Sequence, residues 1–327
     1  MEVKKTLNIP SPPVEYIASG PFLYVLSPYK SSGQLLTLDV NTLESVGSFW
    51  VQGQEPSKMA LNDDYVYIIT ADGLQSYDSF SGDPIVYMAT GSCLPLSVVV
   101  DNDKVFSLCG IPLVNKMQVN TNYTCVCLND SESGRKVAQS QSIQGRYHPL
   151  TYSDDIWVTG ESVSYQFDTT CQLKHKRPLQ VFPDYPVILT DNYAVMASSL
   201  GTLEIFDRKD IAQTSRMLVE KNDTSPVSCG NDQLVWATDE DIYIINLSDL
   251  KSEKLSPLGG KVQSPPIIYE DHAYFCDESG GLTQVNLQTG ENERLKLSKN
   301  ALQQPVLAEN GNLFIVSNTE FYQVDIK

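Results

Sequence analysis

An internal repeat constrains this chain more than any other feature. A phrase made of a proline, a short apolar run, an Asn/Asp/Gly turn and a β-rich run begins at Pro13, Pro56, Pro95, Pro149, Pro186, Pro226, Pro266 and Pro305. Successive starts lie 43, 39, 54, 37, 40, 40 and 39 residues apart, so six of the seven intervals share one period and the other carries an insertion. Eight units in 327 residues come to about 41 residues each, the length of a four-stranded propeller blade. The chain is therefore read as all-β: an eight-bladed β-propeller of four-stranded antiparallel blades, spanning 1–327 as a single domain.

The clearest unit runs Ser264-Pro265-Pro266-Ile267-Ile268-Tyr269, then Glu270-Asp271, His272-Ala273-Tyr274-Phe275-Cys276, a Gly280-Gly281 turn, Leu282-Thr283-Gln284-Val285-Asn286 and a Thr289-Gly290 turn. Turn residues punctuate it every five to eight positions, as hairpins require. Units two and five repeat the pattern, with Tyr65-Val66-Tyr67-Ile68-Ile69 and Tyr193-Ala194-Val195-Met196 as their second strands. No stretch keeps helical periodicity, and Pro, Gly and Asn recur too often for long helices. The last unit supplies only three strands before Lys327, while Val3–Ile9 is a spare strand ahead of the first unit. Residues 1–9 are expected to complete blade 8 and close the ring, leaving no blade with an unpaired neighbour.

In such blades the turns joining strands 1–2 and 3–4 share one face. That face collects Asn62-Asp63-Asp64, Asp101-Asn102-Asp103, Ser153-Asp154-Asp155, Thr190-Asp191-Asn192, Asn231-Asp232, Glu270-Asp271 and Glu309-Asn310. Asx residues suit tight turns by bonding the local backbone; a site for a cation or a basic partner is the alternative. The opposite face carries the strand 2–3 loops and the links between blades. There the long interval places an insertion in blade 3 near Cys109–Met117, with Leu113, Val114 and Met117 expected in a loop. Loops on rigid scaffolds often carry function. A milder irregularity at Ser27–Gly33 presents Tyr29 and Lys30 in blade 1.

The formal net charge of −17 opposes binding to nucleic-acid phosphates or anionic lipid and favours basic partners. No apolar run approaches the ~20 residues of a spanning helix, and no secretory signal is visible at the start, although a processed chain can begin after a removed signal. Seven cysteines at irregular spacings read as buried free thiols, which leans toward a reducing compartment and a cytoplasmic location. Three dispersed histidines, His148, His175 and His272, offer no metal-ligand spacing. Neither a nucleophile elbow nor a phosphate loop is present. Carboxylates follow the turns, and a pair assembled in space would leave no spacing to read. Lys174-His175-Lys176-Arg177 reads as an exposed turn or strand edge.

The phrase Pro265-Pro266-Ile267-Ile268-Tyr269 … Asp277 … Gly280-Gly281-Leu282 … Asn286 … Thr289-Gly290-Glu291 resembles the PQQ-like repeat of the quinoprotein-dehydrogenase-like superfamily. The resemblance covers the whole chain, closely in blades 1, 2 and 7. It implies the eight-bladed fold. That superfamily takes in quinoprotein dehydrogenases, the propeller lipoprotein of the outer-membrane Bam assembly complex, and many scaffolding or sensor propellers. The dehydrogenases repeat a tryptophan at each blade end, whereas only Trp50 of Trp50, Trp157 and Trp236 sits there. They also have an adjacent-cysteine pair and a calcium-site pattern not found here, so no cofactor and no metal are expected. WD-repeat propellers match less well, since no blade has a Gly-His…Trp-Asp pair.

These readings converge on a non-enzymatic scaffold that binds a protein or peptide through the face bearing the blade 3 insertion and the channel mouth. The expected contact residues are Leu113, Val114, Met117, Tyr29 and Lys30, and a closed ring is expected to be monomeric. The alternative is an enzyme, a hydrolase, a lyase or a quinoprotein-like oxidoreductase, with its active site over the central channel; acidic or histidine side chains converging at one mouth would mark it. A further alternative is an envelope or secreted sensor module.

Overall fold

A computed structural model describes residues 1–30, 32–90, 93–112, 119–145, 147–238, 241–257 and 260–326. Among them there is no helix, and the strands form eight antiparallel sheets. Blades 1 to 7 occupy residues 15–51, 58–87, 94–144, 151–178, 188–218, 227–257 and 267–296, each with four strands in sequence order, to which blade 3 adds a fifth. The first strands neighbour one another around the axis: Glu15–Ser19 meets Lys58–Leu61 on one side and Val306–Leu307 on the other. The architecture is the eight-bladed propeller that the repeat predicts.

Blade 8 is assembled from both chain ends. Residues 306–325 give three strands, and Glu2–Asn8 pairs antiparallel with Glu320–Asp325, from Glu2↔Asp325 to Asn8↔Glu320. Lys4 adds an ion pair to Asp325 at 2.7 Å. This is the N-terminal closure expected of the spare strand.

The apolar core is distributed rather than central. Eight hydrophobic clusters occupy the eight seams between blades. At the seam of blades 1 and 2, for example, Leu26 and Leu35 meet Val66, Ile68 and Tyr77. Second strands are therefore buried on both faces, which is why Tyr65–Thr70 and Asn312–Ser317 read as continuous apolar runs instead of alternating ones. Each fully buried large side chain contributes about 1.5–3 kcal/mol, so stability scales with the number of closed seams. Fourth strands face solvent: Leu173–Pro178, LKHKRP, is the exposed outer strand of blade 4. Its lysines and terminal proline discourage edge-to-edge pairing. They are also engaged locally, Lys174 with Asp155 at 2.7 Å and Arg177 over the Phe206 ring at 4.8 Å.

The repeated prolines have a positional reason. Seven of the eight lie one or two residues ahead of a first strand, where the missing N–H removes no ladder bond. Pro95 alone lies inside its strand, opposite Cys109, and the register shifts between Pro95 and Ser97. A more regular signal emerges at the third-strand ends: Asp39, Asp78, Asp130, Asp168, Asp207, Asn246, Asn286 and Asp325, spaced 39, 52, 38, 39, 39, 40 and 39 apart. In blades 1 to 7 this side chain organises the turn to the fourth strand. Asp39 Oδ1 accepts the Asn41 and Thr42 N–H groups, both at 2.8 Å, and Asn286 Oδ1 accepts those of Gln288 and Thr289 at 2.9 Å.

Candidate functional site

The two faces differ in chemistry. On the face of the 1–2 and 3–4 turns, several acidic and Asn side chains are engaged with the backbone and with neighbouring blades. Asp232 of blade 6 accepts Thr190 Oγ1 at 2.7 Å, Asn192 N–H at 3.0 Å and Asn192 Nδ2 at 2.6 Å from blade 5. Asn62 Nδ2 donates to the Asn102 carbonyl of blade 3 at 3.1 Å, and Tyr152 donates to Asp101 at 2.7 Å. The carboxyls of Asp39 and Asp78 are held below the ordinary range, chiefly by the backbone N–H groups of Thr42 and Ser81 respectively. For Asp130 the Ser133 hydroxyl acts first. Burial pushes Asp232 up, but the bonds from Asn192 and Thr190 outweigh it and its carboxyl is lowered.

The opposite face holds the channel mouth. A cavity of about 620 Å³ opens there, walled by the beginnings of first strands and by the blade links ahead of them, including Glu15, Lys58, Ser228, Pro266, Gln304 and Pro305. Lys58 Nζ reaches Glu15 Oε1 at 3.1 Å, and the second Glu15 oxygen accepts the Met59 N–H. Tyr16 next to it donates its hydroxyl to the Gln304 carbonyl. The first strand of blade 1 is thus bonded to blades 2 and 8 at the rim. Burial raises the Tyr16 phenol well above its ordinary value, so it stays a hydrogen-bond donor. None of the three histidines lines this cavity. His148 Nε2 lies 2.9 Å from the Pro183 carbonyl, and His272 neighbours Asn286 on the other face.

Exposed apolar side chains stand on this face as well as at Phe80, in the blade 2 turn of the other face. Tyr29 stands beside Trp50, ring centroids 4.7 Å apart, with Lys30 Nζ 5.3 Å from the Tyr29 centroid. Trp50 is the last residue but one of the fourth strand of blade 1, Ser45–Val51, and is 56% exposed. Lys30 takes the left-handed conformation (φ 53°) that turns the chain back toward Gly33. The two blade 1 residues picked from sequence are therefore together, and Trp50 completes the group. Blade 5 adds Phe182, Leu200 and Leu218 at 71, 69 and 74% exposure. Asp184 draws the first two segments together by accepting the Ser199 N–H at 2.7 Å and its hydroxyl at 2.8 Å. Sequence reading missed these three because a turn leucine, a linker phenylalanine and a leucine at the end of an outer strand carry no periodic signal.

Leu113, Val114 and Met117 lie outside the described residues. The segment leading to them differs from expectation. Cys109–Pro112 is not loop but the continuation of the second strand, Lys104–Pro112, which pairs with Val119–Asp130 out to Pro112↔Val119. Ile143–Gln144 pairs as an extra strand beside Tyr123 and Thr124, so blade 3 has five strands. Continued pairing satisfies the backbone groups that an open loop would have to leave to water.

No protein-family model and no curated protein matches the sequence. Among solved structures the chain is similar to the computationally designed Ika8 protein, with TM-score 0.78, 11% identity and 98% of each chain covered. It is also similar to BamB from Moraxella catarrhalis, with TM-score 0.71, 16% identity and 99% of each chain covered. A europium-containing methanol dehydrogenase aligns with TM-score 0.68 and 11% identity over 96% of this chain and 84% of that one. The last two are of the PQQ-like kind that the repeat resembles. At these identities the likeness is one of fold.

Proposed function

We propose that this chain is a binding scaffold, without catalytic activity of its own, that holds a protein or peptide on its linker face beside the channel mouth. The observation that carries this reading is the solvent-facing group of Tyr29, Lys30 and Trp50 on the same face as the 620 Å³ cavity. Leaving a tryptophan half in water contributes little to folding, whereas aromatic side chains beside a cation are the usual energetic anchors of interfaces. The cavity's mixed walls, with prolines and Val306 beside Gln304 and the Glu15–Lys58 pair, suit an extended segment presenting both apolar and amide groups. The acidic surface favours basic segments. BamB has the same fold, and the analogy of a propeller serving as an assembly platform supports the reading at that level only.

An array of random-sequence peptides probed with the wild type and with Tyr29→Ser/Trp50→Ser tests it. The wild type is expected to retain a consistent peptide set, enriched in basic residues, that the variant binds at least tenfold more weakly at equal thermal stability. Equal retention by both proteins, or none by the wild type, overturns the reading.

A further inference from the structure

Four of the seven cysteines converge in blade 3. Cys93 stands just before the first strand, Leu94–Asp101; Cys109 lies on the second strand and Cys125 and Cys127 on the third. All four are buried and form a cluster of their own. They continue the row Val105, Ser107, Cys109 on the face turned to blade 2, where Val105 packs with Tyr67, Ile69 and Leu74. Cys93 Sγ lies 3.6 Å from Cys125 Sγ, and Cys125 Sγ lies 3.9 Å from Cys127 Sγ. Cys109 Sγ meets Ser107 Oγ at 3.3 Å, and Gln139 Nε2 reaches Cys125 Sγ at 3.3 Å. The sulfurs follow one another along the sheet face. Among the described residues no three Cys, His, Asp or Glu side chains are placed to hold one metal ion.

We infer that Cys93 and Cys125 are a reversible dithiol–disulfide couple, oxidised by a low-molecular-weight disulfide, that latches the start of blade 3 to its third strand. Three features of the site set this pair apart. Their sulfurs stand closer than those of Cys125 and Cys127, 3.6 against 3.9 Å. A disulfide needs about 2.05 Å, so the sulfurs must close by roughly 1.5 Å. Cys93 is the member outside the ladder, so it can move without breaking a strand pair; its own carbonyl is held by Thr90 Oγ1 at 2.7 Å. Finally, Gln139 holds Cys125 in place as the resolving sulfur.

The chemistry balances within the two reactants. The Cys93 thiolate attacks one sulfur of the small disulfide, forming a mixed disulfide and releasing one thiolate, which takes up the Cys93 proton. The Cys125 thiolate then attacks the Cys93 sulfur, expelling the second small thiolate, which takes up the Cys125 proton. Two protein thiols are oxidised and one small disulfide is reduced to two thiols. Burial pushes the Cys93 thiol up to about 11, so at neutral pH only a small fraction is thiolate and the couple reacts slowly. Its rate should climb about tenfold per pH unit between 7 and 9, in step with the thiolate fraction. Once formed, the link ties the first strand of blade 3 to its third across the second, at the base of the long hairpin.

The test uses the native full chain, hydroxyethyl disulfide as oxidant, alkylation of remaining thiols and tryptic mapping. Cleavage separates the cysteines into residues 59–104 with Cys93, 105–116 with Cys109, and 117–135 with Cys125 and Cys127. A 59–104/117–135 link that dithiothreitol removes is expected. It should persist in Cys127→Ser, vanish in Cys93→Ser, form with the stated pH dependence, and raise the melting temperature by a few degrees. The inference is overturned if the native wild type yields a different linkage, if linkage needs urea, or if Cys127→Ser abolishes it.

Discussion

The two faces of the ring are built from the same blades and use their side chains differently. On the turn face, many polar side chains are engaged: Asp39, Asp78 and Asn286 close turns, and Asp232 and Asn62 bridge blades, while Phe80 of the blade 2 turn stands in water. On the linker face, large apolar side chains such as Trp50, Phe182, Leu200 and Leu218 stand in water. Part of the abundant acid of the sequence, including Asp39, Asp78, Asp130 and Asp232, is therefore structural in its local use, even though the whole sets the overall field. The sparse exposed apolar groups, which cost solubility, are the ones free to meet a partner.

That contrast can be broken by substitution. The largest effect is expected at Asp232→Ala, which leaves Thr190 and Asn192 without their acceptor at a buried bridge between blades; a loss of about 3 kcal/mol is expected in denaturant unfolding. A loss below 1 kcal/mol would show the bridge to be incidental. Acid should act on the same face. Carboxyls such as Asp39, Asp78 and Asp130, whose pKa is lower folded than unfolded, contribute stability that is present at neutral pH and lost as pH falls below about 4. Melting temperature is thus expected to fall steeply from pH 4 to pH 2, and a flat profile would contradict the turn assignment. Asp78→Ala removes a single turn acceptor and should cost about 1 kcal/mol. Least of all, Leu200→Ser on the linker face should shift stability by under about 0.5 kcal/mol; a larger loss would mean that Leu200 belongs to the core.

Much of the fold was legible because a repeat is an averaging device. Any one proline or Asp-Asn turn is weak, yet eight at one spacing leave few architectures open, and the incomplete last unit points to Glu2–Asn8 as the closing strand. The Asx at each third-strand end was equally legible and more regular than the proline, but recognising it requires knowing where strands stop. The site was less legible. Tyr29 and Lys30 stood out as a departure from the repeat, whereas Trp50 looked like a blade-end residue with no stated exposure. The blade 3 insertion was found by length alone, and its conversion into a longer hairpin depends on pairing Ile111 with Asn120 and Pro112 with Val119, a choice that no local propensity dictates.

The sequence by itself determined the number of blades, their strand pattern and the closure, because periodicity, turn chemistry and two-sided burial are properties of short segments that recur. Only the tertiary structure decided which residues meet. Tyr29 lies beside Trp50 because the second and fourth strands of blade 1, either side of the third, bring positions 21 residues apart to one rim. Glu15 reaches Lys58 across a seam, and Cys93 reaches Cys125 over a strand that separates them. Such contacts are set by how blades rotate and pack against one another, a property of the closed ring that no single repeat contains.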